Sequence, residues 1–186
     1  MPRPKVSNEV YQAQLDKIRD IDFARLAAYI DGEGCIVISS CQKPRGRGVS
    51  KTHCMQVTVT NTYLPLFSWI VGTFGGSVSE ANSNSRKSTA VKRCWRWVIG
   101  EVPSEMILRR CLPYLLIKSE QAKIALAFRD VKRRKFDAVH NGRLTQKMIR
   151  ERDRLQQRIS KLNSSKGFGA RKSLTAYADI GTESVN

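Results

Sequence analysis

One stretch near the N-terminus, where a helical pattern stops at two closely spaced glycines and a strand pattern begins, constrains the fold most. Apolar residues recur at helical spacing between Phe23 and Ile30, and Gly32 and Gly34 end that run. The next segment, 35–41, is short and β-branched, which is typical of a strand. A chain that begins in this way combines helices with strands, and the segments downstream repeat the same succession.

The rest of the chain reads as a helix followed by two strands, and then as further helices. Pro65 favours the start of a helix, and Gly75 with Gly76 ends it. In the last strand, tryptophans alternate with Arg96, so the tryptophan face should pack on helices and the arginine face should look outward. The predicted fold class is α+β, in the order αββαββαα, with helices on one face of a four-stranded antiparallel sheet. Strands are predicted at 35–41, 52–60, 77–81 and 93–100, helices at 23–30, 64–74, 104–112 and 119–131, and connections at 43–48 and 82–92.

The charge of the chain indicates a polyanionic partner. Lys and Arg outnumber Asp and Glu by 33 to 16, for a net charge of +17. Nucleic acid fits this excess better than an acidic membrane surface does, although charge alone also allows a ribosomal or merely cationic protein. The segment 132–172 holds 14 basic and 3 acidic side chains and is predicted to contain an amphipathic helix. That helix is either a solvated helix docked on the core or a clamp for phosphates; its apolar face is marked by Leu144, Met148, Leu155, Ile159 and Leu162.

Cysteine usage and hydropathy indicate an intracellular, reducing compartment. The five cysteines are scattered without C-x-x-C spacing, so neither a disulfide framework nor a zinc site is expected. No stretch approaches the about 20 apolar residues that span a bilayer, and the N-terminus resembles neither a signal nor a transit peptide. We predict an N-terminal arm at 1–19, one domain at 20–163 and a flexible tail at 164–186.

The end of the first predicted helix carries the chemistry. Ala28 and Gly32 are four residues apart, and small residues at that spacing let two helices approach closely. Asp31 and Glu33 lie at the helix C-terminus, where the helix dipole disfavours anions. A bound cation makes such a placement tolerable, and hard oxygen ligands facing a phosphate indicate magnesium.

The segment 26–34 resembles the signature of the LAGLIDADG homing endonucleases, with Ala28, Tyr29, Gly32 and Glu33 replacing the G, L, A and second D. The resemblance continues through Val59-Thr60-Asn61-Thr62, through Phe74-Gly75-Gly76 and through 112–122, and it covers roughly residues 20–130. It implies a DNA-binding saddle formed by the sheet, with additional C-terminal helices. It also implies an endonuclease that leaves double-strand breaks with short 3′ overhangs.

The resemblance assigns roles to individual residues. Glu33 would be the metal-binding acid, with Gly32 beside it, and Lys118 would stabilise charge on the phosphate or help to activate water. Asn61 would orient the hydrolytic water, for which Gln56 is a rival, whereas Asp31 is expected to be structural. The implied cofactor is Mg²⁺, with Mn²⁺ as a replacement and Ca²⁺ as a substitute that does not support cleavage.

One copy of the motif in the chain implies a homodimer that reads a palindromic or pseudo-palindromic site on double-stranded DNA. No membrane and no other protein partner is expected. A DNA-binding regulator that does not cleave, or an intron RNA maturase, is the alternative. The predicted dimer interface is Leu26, Ala28, Tyr29 and Gly32. The predicted base-reading residues are Ser39, Cys41, Lys43, Arg45, Arg47, Thr52, Gln56, Thr58, Ser79 and Arg96, and the predicted phosphate-binding residues are Lys132, Arg133, Arg134, Lys135 and Arg143.

Overall fold

Four strands and six helices make up the part of the chain that the computed structural model describes, which is residues 7–45, 48–81, 92–134 and 145–164. The α+β class and the four-stranded antiparallel sheet are confirmed. A short 3-10 turn, Leu112–Tyr114, separates two of the helices. The strands are β1 (Gly34–Arg45), β2 (Gly48–Asn61), β3 (Ser77–Glu80) and β4 (Trp95–Ile99), and the helices are α1 (Asn8–Leu15), α2 (Asp20–Glu33), α3 (Leu64–Phe74), α4 (Glu101–Cys111), α5 (Ser119–Arg134) and α6 (Gln146–Asn163).

The sheet has one face against the helices and one face open. Its strand order is β1-β2-β4-β3, and every neighbouring pair is antiparallel. Along β2, Met55, Val57 and Val59 are buried, whereas the alternate residues are exposed or half-buried. Trp97 of β4 is fully buried among the same helices, as the alternation predicted. We call the buried side the inner face and the open side the outer face.

The core lies between the inner face and the helices. Phe23, Ala27 and Ile30 of α2 are fully buried, so this helix packs along the sheet for most of its length. Ile107 of α4 and Phe128 of α5 complete the same cluster. At about 25 cal/mol per Å² of buried apolar surface, this cluster is the main stabilising contribution to the fold.

Two parts of the chain differ from the sequence prediction. The connection expected at 43–48 is mostly strand, because β1 and β2 stay paired as far as Arg45 and Gly48. The backbone hydrogen bonds that pair two strands do not require alternating apolar side chains, so the sequence pattern did not indicate this part of the hairpin. The expected N-terminal arm contains α1, whose Leu15 is buried and whose Tyr11 hydroxyl donates to the Phe74 carbonyl at 2.7 Å. A helix this short is held by such tertiary contacts, which periodicity does not reveal.

Helix α6 docks on the inner face at the β1–β2 hairpin. Its predicted apolar face is confirmed at Met148 and Ile159, which are buried, while Leu144 lies outside the described residues. Gln156 donates to the Ser40 hydroxyl at 3.3 Å, and the Asp153 carboxylate lies 2.8 Å from Nε2 of the buried His53. Leu155 and Leu162 complete the apolar face of α6 and are half-buried against the core.

No helix within the described ranges is long and apolar enough to cross a membrane. All five cysteines are free thiols, and Cys111 is the buried one.

A buried carboxylate joins α4 to α5. Glu105 accepts from Arg129 at 2.9 Å and from Arg109 at 3.0 Å, and Arg133 also contacts it. Burial by itself raises the pKa of Glu105, but the hydrogen bonds from Arg129 and Arg109 and the charge of Arg133 outweigh it. The pKa of Glu105 therefore lies below its ordinary value of 4.5.

We expect Gly76→Ala to lower the free energy of unfolding by about 2–4 kcal/mol. Gly76 has φ +90, and an added Cβ would come within 2.4 Å of the Trp97 indole nitrogen and 2.8 Å of the Val98 carbonyl oxygen. Gly72, inside α3, is the matched control because an added Cβ there meets nothing within 4 Å. Gly72→Ala should raise stability by about 0.5–1 kcal/mol. Urea unfolding measures both variants, and equal effects would contradict the packing described.

We expect Glu105→Gln to lower stability at neutral pH by about 1–3 kcal/mol, because the buried Arg129 then keeps Glu101 as its carboxylate partner and loses the charge of the second. The contribution of Glu105 is present above pH 4.5 and is lost as the pH falls through its lowered folded-state pKa, so the stability difference between wild type and variant should shrink in acid. Glu120→Gln removes an exposed ion pair with Arg158 and should change stability by less than about 0.5 kcal/mol. Urea unfolding at several pH values tests this, and a pH-independent difference would be the contrary result.

Candidate active site

Helix α2 passes into β1 without a loop. It ends at Glu33, and β1 begins at the next residue. An added Cβ at Gly34 would lie 2.6 Å from the Ile30 Cα and 2.7 Å from its carbonyl oxygen, so only glycine fits this junction. Gly34 pairs with Val59 in β2. Glu33 is therefore fixed at the place where the helix end meets the ends of two strands.

Asp31 binds the segment that precedes α5. Its carboxylate is buried and accepts from the Leu116 backbone N–H at 2.7 Å and from the Lys118 backbone N–H at 2.8 Å. The Lys118 ammonium donates to the Asp31 backbone carbonyl, at the C-terminal end of α2. A cation is stabilised there by the helix dipole. Asp31 is thus the anchor that brings Lys118 to the end of this helix.

Asn61, the last residue of β2, completes the cluster. Its side-chain N–H donates to the Glu33 carboxylate, and its side-chain carbonyl accepts from the Tyr63 backbone N–H at 2.7 Å. Because both ends of the amide are engaged, its orientation is fixed. Glu33, Asn61 and Lys118 therefore meet at one end of α2, and we call this cluster the α2 corner.

Gln56, the rival of Asn61, is not part of the α2 corner. It pairs with Val37 and points from the outer face, five residues back along β2. At about 3.3 Å per residue it lies roughly 16 Å along the strand from Asn61.

The thiol of Cys35 lies close to the α2 corner and to two cations. Cys35, the second residue of β1, is half-buried and lies near the charges of Lys118 and Arg96. Burial raises the pKa of Cys35, and the two cations only partly offset it. The thiol therefore stays protonated near neutral pH, and the region next to the α2 corner is electropositive.

The residues at the α2 corner suit a hydrated divalent ion better than a site built only of protein ligands. Glu33 is exposed, and among the described residues no three His, Cys, Asp or Glu side chains lie close enough together to hold a metal ion. Mg²⁺ keeps several waters and commonly binds one or two carboxylates together with phosphate oxygens. Glu33 and the carbonyl of Gly32 supply hard oxygens at the exposed helix end, which fits such an ion when a phosphate is also present.

The outer face carries most of the predicted base-reading residues. Cys41 and Thr52 face each other across β1 and β2, with their side-chain S and O atoms 3.1 Å apart. Arg96 lies in the middle of the sheet, paired with Thr60 on one side and Ser79 on the other. Nothing is described of the Lys43 and Arg45 side chains, and Arg47 lies outside the described residues. The predicted residues on the exposed or half-buried outer face are Ser39, Cys41, Thr52, Gln56, Thr58, Ser79 and Arg96.

Two of the predicted phosphate-binding residues have another role. Lys132 donates to the Glu101 carboxylate and to the His53 carbonyl, and Arg133 pairs with Glu105 and Asp130. Both side chains stay partly exposed, 29% for Lys132 and 56% for Arg133, so phosphate binding by these two remains a prediction. The side chain of Arg134 is not described, and Lys135 and Arg143 lie outside the described residues.

One predicted interface residue is corrected. Leu26 is fully buried in the core of its own chain and therefore has no surface to offer a partner. Ala28, Tyr29 and Gly32 are exposed on the opposite side of α2. We call this side the α2 open face.

The sequence did not reveal the apolar surroundings of the α2 open face. A groove of about 440 Å³ runs between α2 and α3 and is lined by Tyr29, Tyr63 and Trp69 among others. Leu116 is 86% exposed and Ile117 55% exposed in the segment that Asp31 anchors. In the sequence, the only signal is that two large aliphatic residues directly precede Lys118. Their exposure becomes evident only when the position of the segment in the fold is known.

Comparison with solved structures finds homing endonucleases of similar architecture. The homing endonuclease I-CvuI has been solved in complex with DNA in the presence of Mg or Ca, and in the Mg structure the DNA was not cleaved. The Mg structure matches this chain at 21% identity with a TM-score of 0.58. The match covers 77% of this chain and 83% of the I-CvuI chain. The archaeal intron-encoded homing endonuclease I-Vdi141I, complexed with DNA, shares 15% identity and a TM-score of 0.59 over 83% and 89%. This chain has the LAGLIDADG homing endonuclease fold.

The LAGLIDADG homing endonuclease I-LtrWI, bound to its target DNA, gives a TM-score of 0.52 at 18% identity. This chain is 85% covered in that match but spans 47% of I-LtrWI. No family model and no curated sequence matches this chain. Within the LAGLIDADG fold, the segment 26–34 is the second half of α2 and the first residue of β1.

We expect Asp31→Asn to loosen the segment that carries Lys118, because one of the two backbone N–H groups loses its acceptor. The cost in stability should be about 1–3 kcal/mol. Hydrogen exchange of the Leu116 and Lys118 amides should accelerate more than exchange in the β-sheet. Asp20→Asn, at the exposed other end of α2, is the matched control and should leave those two amides unchanged. Unaltered protection in Asp31→Asn would contradict the anchoring role.

Proposed function

We propose that this protein is a site-specific endonuclease that cleaves both strands of a long palindromic or pseudo-palindromic DNA site, as a homodimer with a divalent metal ion. The observation that carries the proposal is the α2 corner: a carboxylate, an amide and an ammonium group meet at one exposed helix end. An acid that holds a metal, a polar group that orients water and a cation that offsets phosphate charge are the groups that phosphodiester hydrolysis needs.

Charge and surface shape support DNA as the substrate. The net charge of +17 favours a polyanion, and the outer face presents polar side chains on a sheet. The major groove admits a two-stranded β-ribbon and displays a pattern of donors and acceptors that differs for every base pair. The similarity to I-CvuI and I-Vdi141I, both solved in complex with DNA, supports DNA as the partner of this chain. Hydroxyl and guanidinium groups such as those of Thr58 and Arg96 then face base edges.

Three residues of the chain would have separate roles at the scissile phosphate. Glu33 supplies the carboxylate, and the fixed N–H of Asn61 keeps that carboxylate turned toward the corner. Lys118, held at the end of α2, opposes the negative charge that grows on the phosphate as water attacks. A divalent ion bound there supplies Lewis-acid chemistry that makes water a better nucleophile and neutralises phosphate charge.

Two strands need two such corners, and this supports a dimer through the α2 open face. Ala28 and Gly32 leave room for a second helix to approach closely. Tyr29, Leu116 and Ile117 surround them with exposed apolar surface. In a symmetric pair the two Glu33 side chains would lie near the two-fold axis, one for each DNA strand. I-LtrWI, of which this chain spans 47%, has the length that two such units require.

We expect Glu33→Gln to reduce cleavage by at least about 100-fold while DNA affinity changes little, because the substitution removes a charge at the reacting phosphate and not a recognition contact. The measurement is cleavage of a randomised duplex library with Mg²⁺, followed by sequencing of the cut ends. EDTA should abolish cutting, Mn²⁺ should restore it, and Ca²⁺ should support binding alone.

Glu9→Gln is the matched control, since it removes an exposed acid on α1, which precedes the opposite end of α2. Cutting by Glu33→Gln at the wild-type rate would overturn the assignment. DNA binding without any cutting by wild type would favour a regulator, and preferential binding of structured RNA would favour a maturase.

We expect Gly32→Leu to convert the dimer to a monomer. An added Cβ at Gly32 meets nothing within 4 Å of the same chain, so the fold tolerates the side chain while a closely packed second helix does not. Light scattering should give about twice the chain mass of 21.0 kDa for wild type and the chain mass for the variant. Gly100→Leu adds the same bulk just before α4, where an added Cβ also meets nothing within 4 Å, and should leave the dimer intact. A wild-type protein that stays monomeric on DNA would contradict the dimer.

A further inference from the structure

Two of the described side chains on the outer face can each make a pair of hydrogen bonds to one base. Arg96 of β4 carries a planar guanidinium and Gln56 of β2 carries an amide, and both are exposed. The other described side chains of this face end in a hydroxyl, a thiol or methyl groups. They are Cys35, Val37, Ser39, Cys41, Thr52, Cys54, Thr58, Thr60, Ser77, Ser79 and Val98. Arg96 and Gln56 therefore have the greatest capacity to distinguish one base from another.

Arg96 and Gln56 are not engaged by the rest of the described chain. Within residues 7–45, 48–81, 92–134 and 145–164, neither forms a hydrogen bond or an ion pair with another side chain. Arg93, two residues before β4, differs in this respect, since its guanidinium lies 3.9 Å from the Glu80 carboxylate. An open guanidinium and an open amide keep their donors and acceptors for a ligand that approaches the sheet.

Arg96 lies at the level of the α2 corner. It pairs with Thr60 of β2, the residue directly before Asn61. Cys35 lies near the charges of both Arg96 and Lys118. Two strand spacings of about 4.8 Å each separate β4 from β1, and the long arginine side chain extends beyond its own strand. A base that Arg96 contacts is therefore close to the phosphate at the α2 corner.

Gln56 lies farther along the hairpin, away from the α2 corner. It is four residues from Thr60 along β2, which is about 13 Å at about 3.3 Å per residue. Successive base pairs of a duplex are about 3.4 Å apart, so this length corresponds to about four base pairs. Because Thr60 pairs with Arg96, the two side chains would meet base pairs about four apart, and the base pair of Gln56 lies farther from the cut.

We propose that in each half-site Arg96 binds a guanine and Gln56 binds an adenine about four base pairs farther from the cut. This rests on the proposed function, which lays the outer face in the major groove of duplex DNA. Guanine presents two acceptors there, O6 and N7, which match two guanidinium donors. Adenine presents the N7 acceptor and the N6 donor, which match the two ends of an amide. The surrounding hydroxyl groups bond to either kind of base, so they add affinity with less discrimination.

The test is a binding selection from randomised duplexes in the presence of Ca²⁺, followed by sequencing of the DNA that each protein retains. Wild type should select a guanine and an adenine at the stated spacing in both half-sites. Arg96→Gln should change the selected guanine to adenine, and Gln56→Arg should change the selected adenine to guanine. Each substitution should alter the preference at its own position by about tenfold or more and leave the other position as in wild type.

Arg93→Gln is the matched control, because it removes an exposed guanidinium that lies outside β4 and is paired with Glu80. It should leave every base preference unchanged, and circular dichroism should report a wild-type spectrum for all three variants. A loss of affinity in Arg96→Gln that is equal for all sequences would assign Arg96 to a phosphate and overturn the proposal. A selected site that neither substitution alters would overturn this inference alone, whereas a wild-type protein that retains no duplex would overturn the proposed function with it.

Discussion

The hydrogen bonds of one buried carboxylate hold the reactive end of this molecule together. Asp31 lies at the end of α2, and its carboxylate accepts hydrogen bonds from two backbone N–H groups of a segment that begins 85 residues later in the sequence. Leu115 packs in the core, but the exposed residues Leu116 and Ile117 do not, so these bonds hold the stretch from Leu116 to Lys118 against the helix end. Without them, Lys118 would be an ordinary surface lysine. Through Asp31, the helix end that carries Glu33 acquires a cation from a distant part of the sequence.

The layers of the fold separate the chemistry from the stabilising charges. Glu101 and Glu105 of α4 bind Arg129, Lys132 and Arg133 of α5, beneath the inner face of the sheet. Of these pairs, the one between Glu105 and Arg129 is buried on both sides, and buried pairs of this kind are costly to break. Among the described residues, exposed cations also lie on the outer face at Arg96 and along the solvent side of α6. The positive charge is thus divided between ion pairs inside the chain and its open surface.

The sequence predicted the elements whose signals are local. Pro65 and Gly75 bound α3 because a proline suits the first turn and a glycine suits the residue after the last one. The alternation of tryptophans with Arg96 along β4 predicts its inner and outer residues correctly for the same local reason. By contrast, α1 depends on the contact of Tyr11 with Phe74, and the position of Lys118 depends on Asp31. Leu26 was assigned to an interface because spacing shows which residues share a face but not which face the core takes.

The junction without a loop at Gly34 ties the outer face of the sheet to Glu33. Because β1 starts where α2 stops and Gly34 is packed against Ile30, a change in the twist of this strand should also turn Glu33. Residues near the junction, such as Cys35 and Val37, are mechanically coupled to the acid, whereas Ser39 and Cys41 lie farther along the hairpin. If the proposed function holds, base preference is therefore easier to change at the far end of the hairpin. A substitution near the junction would also change the orientation of the Glu33 carboxylate.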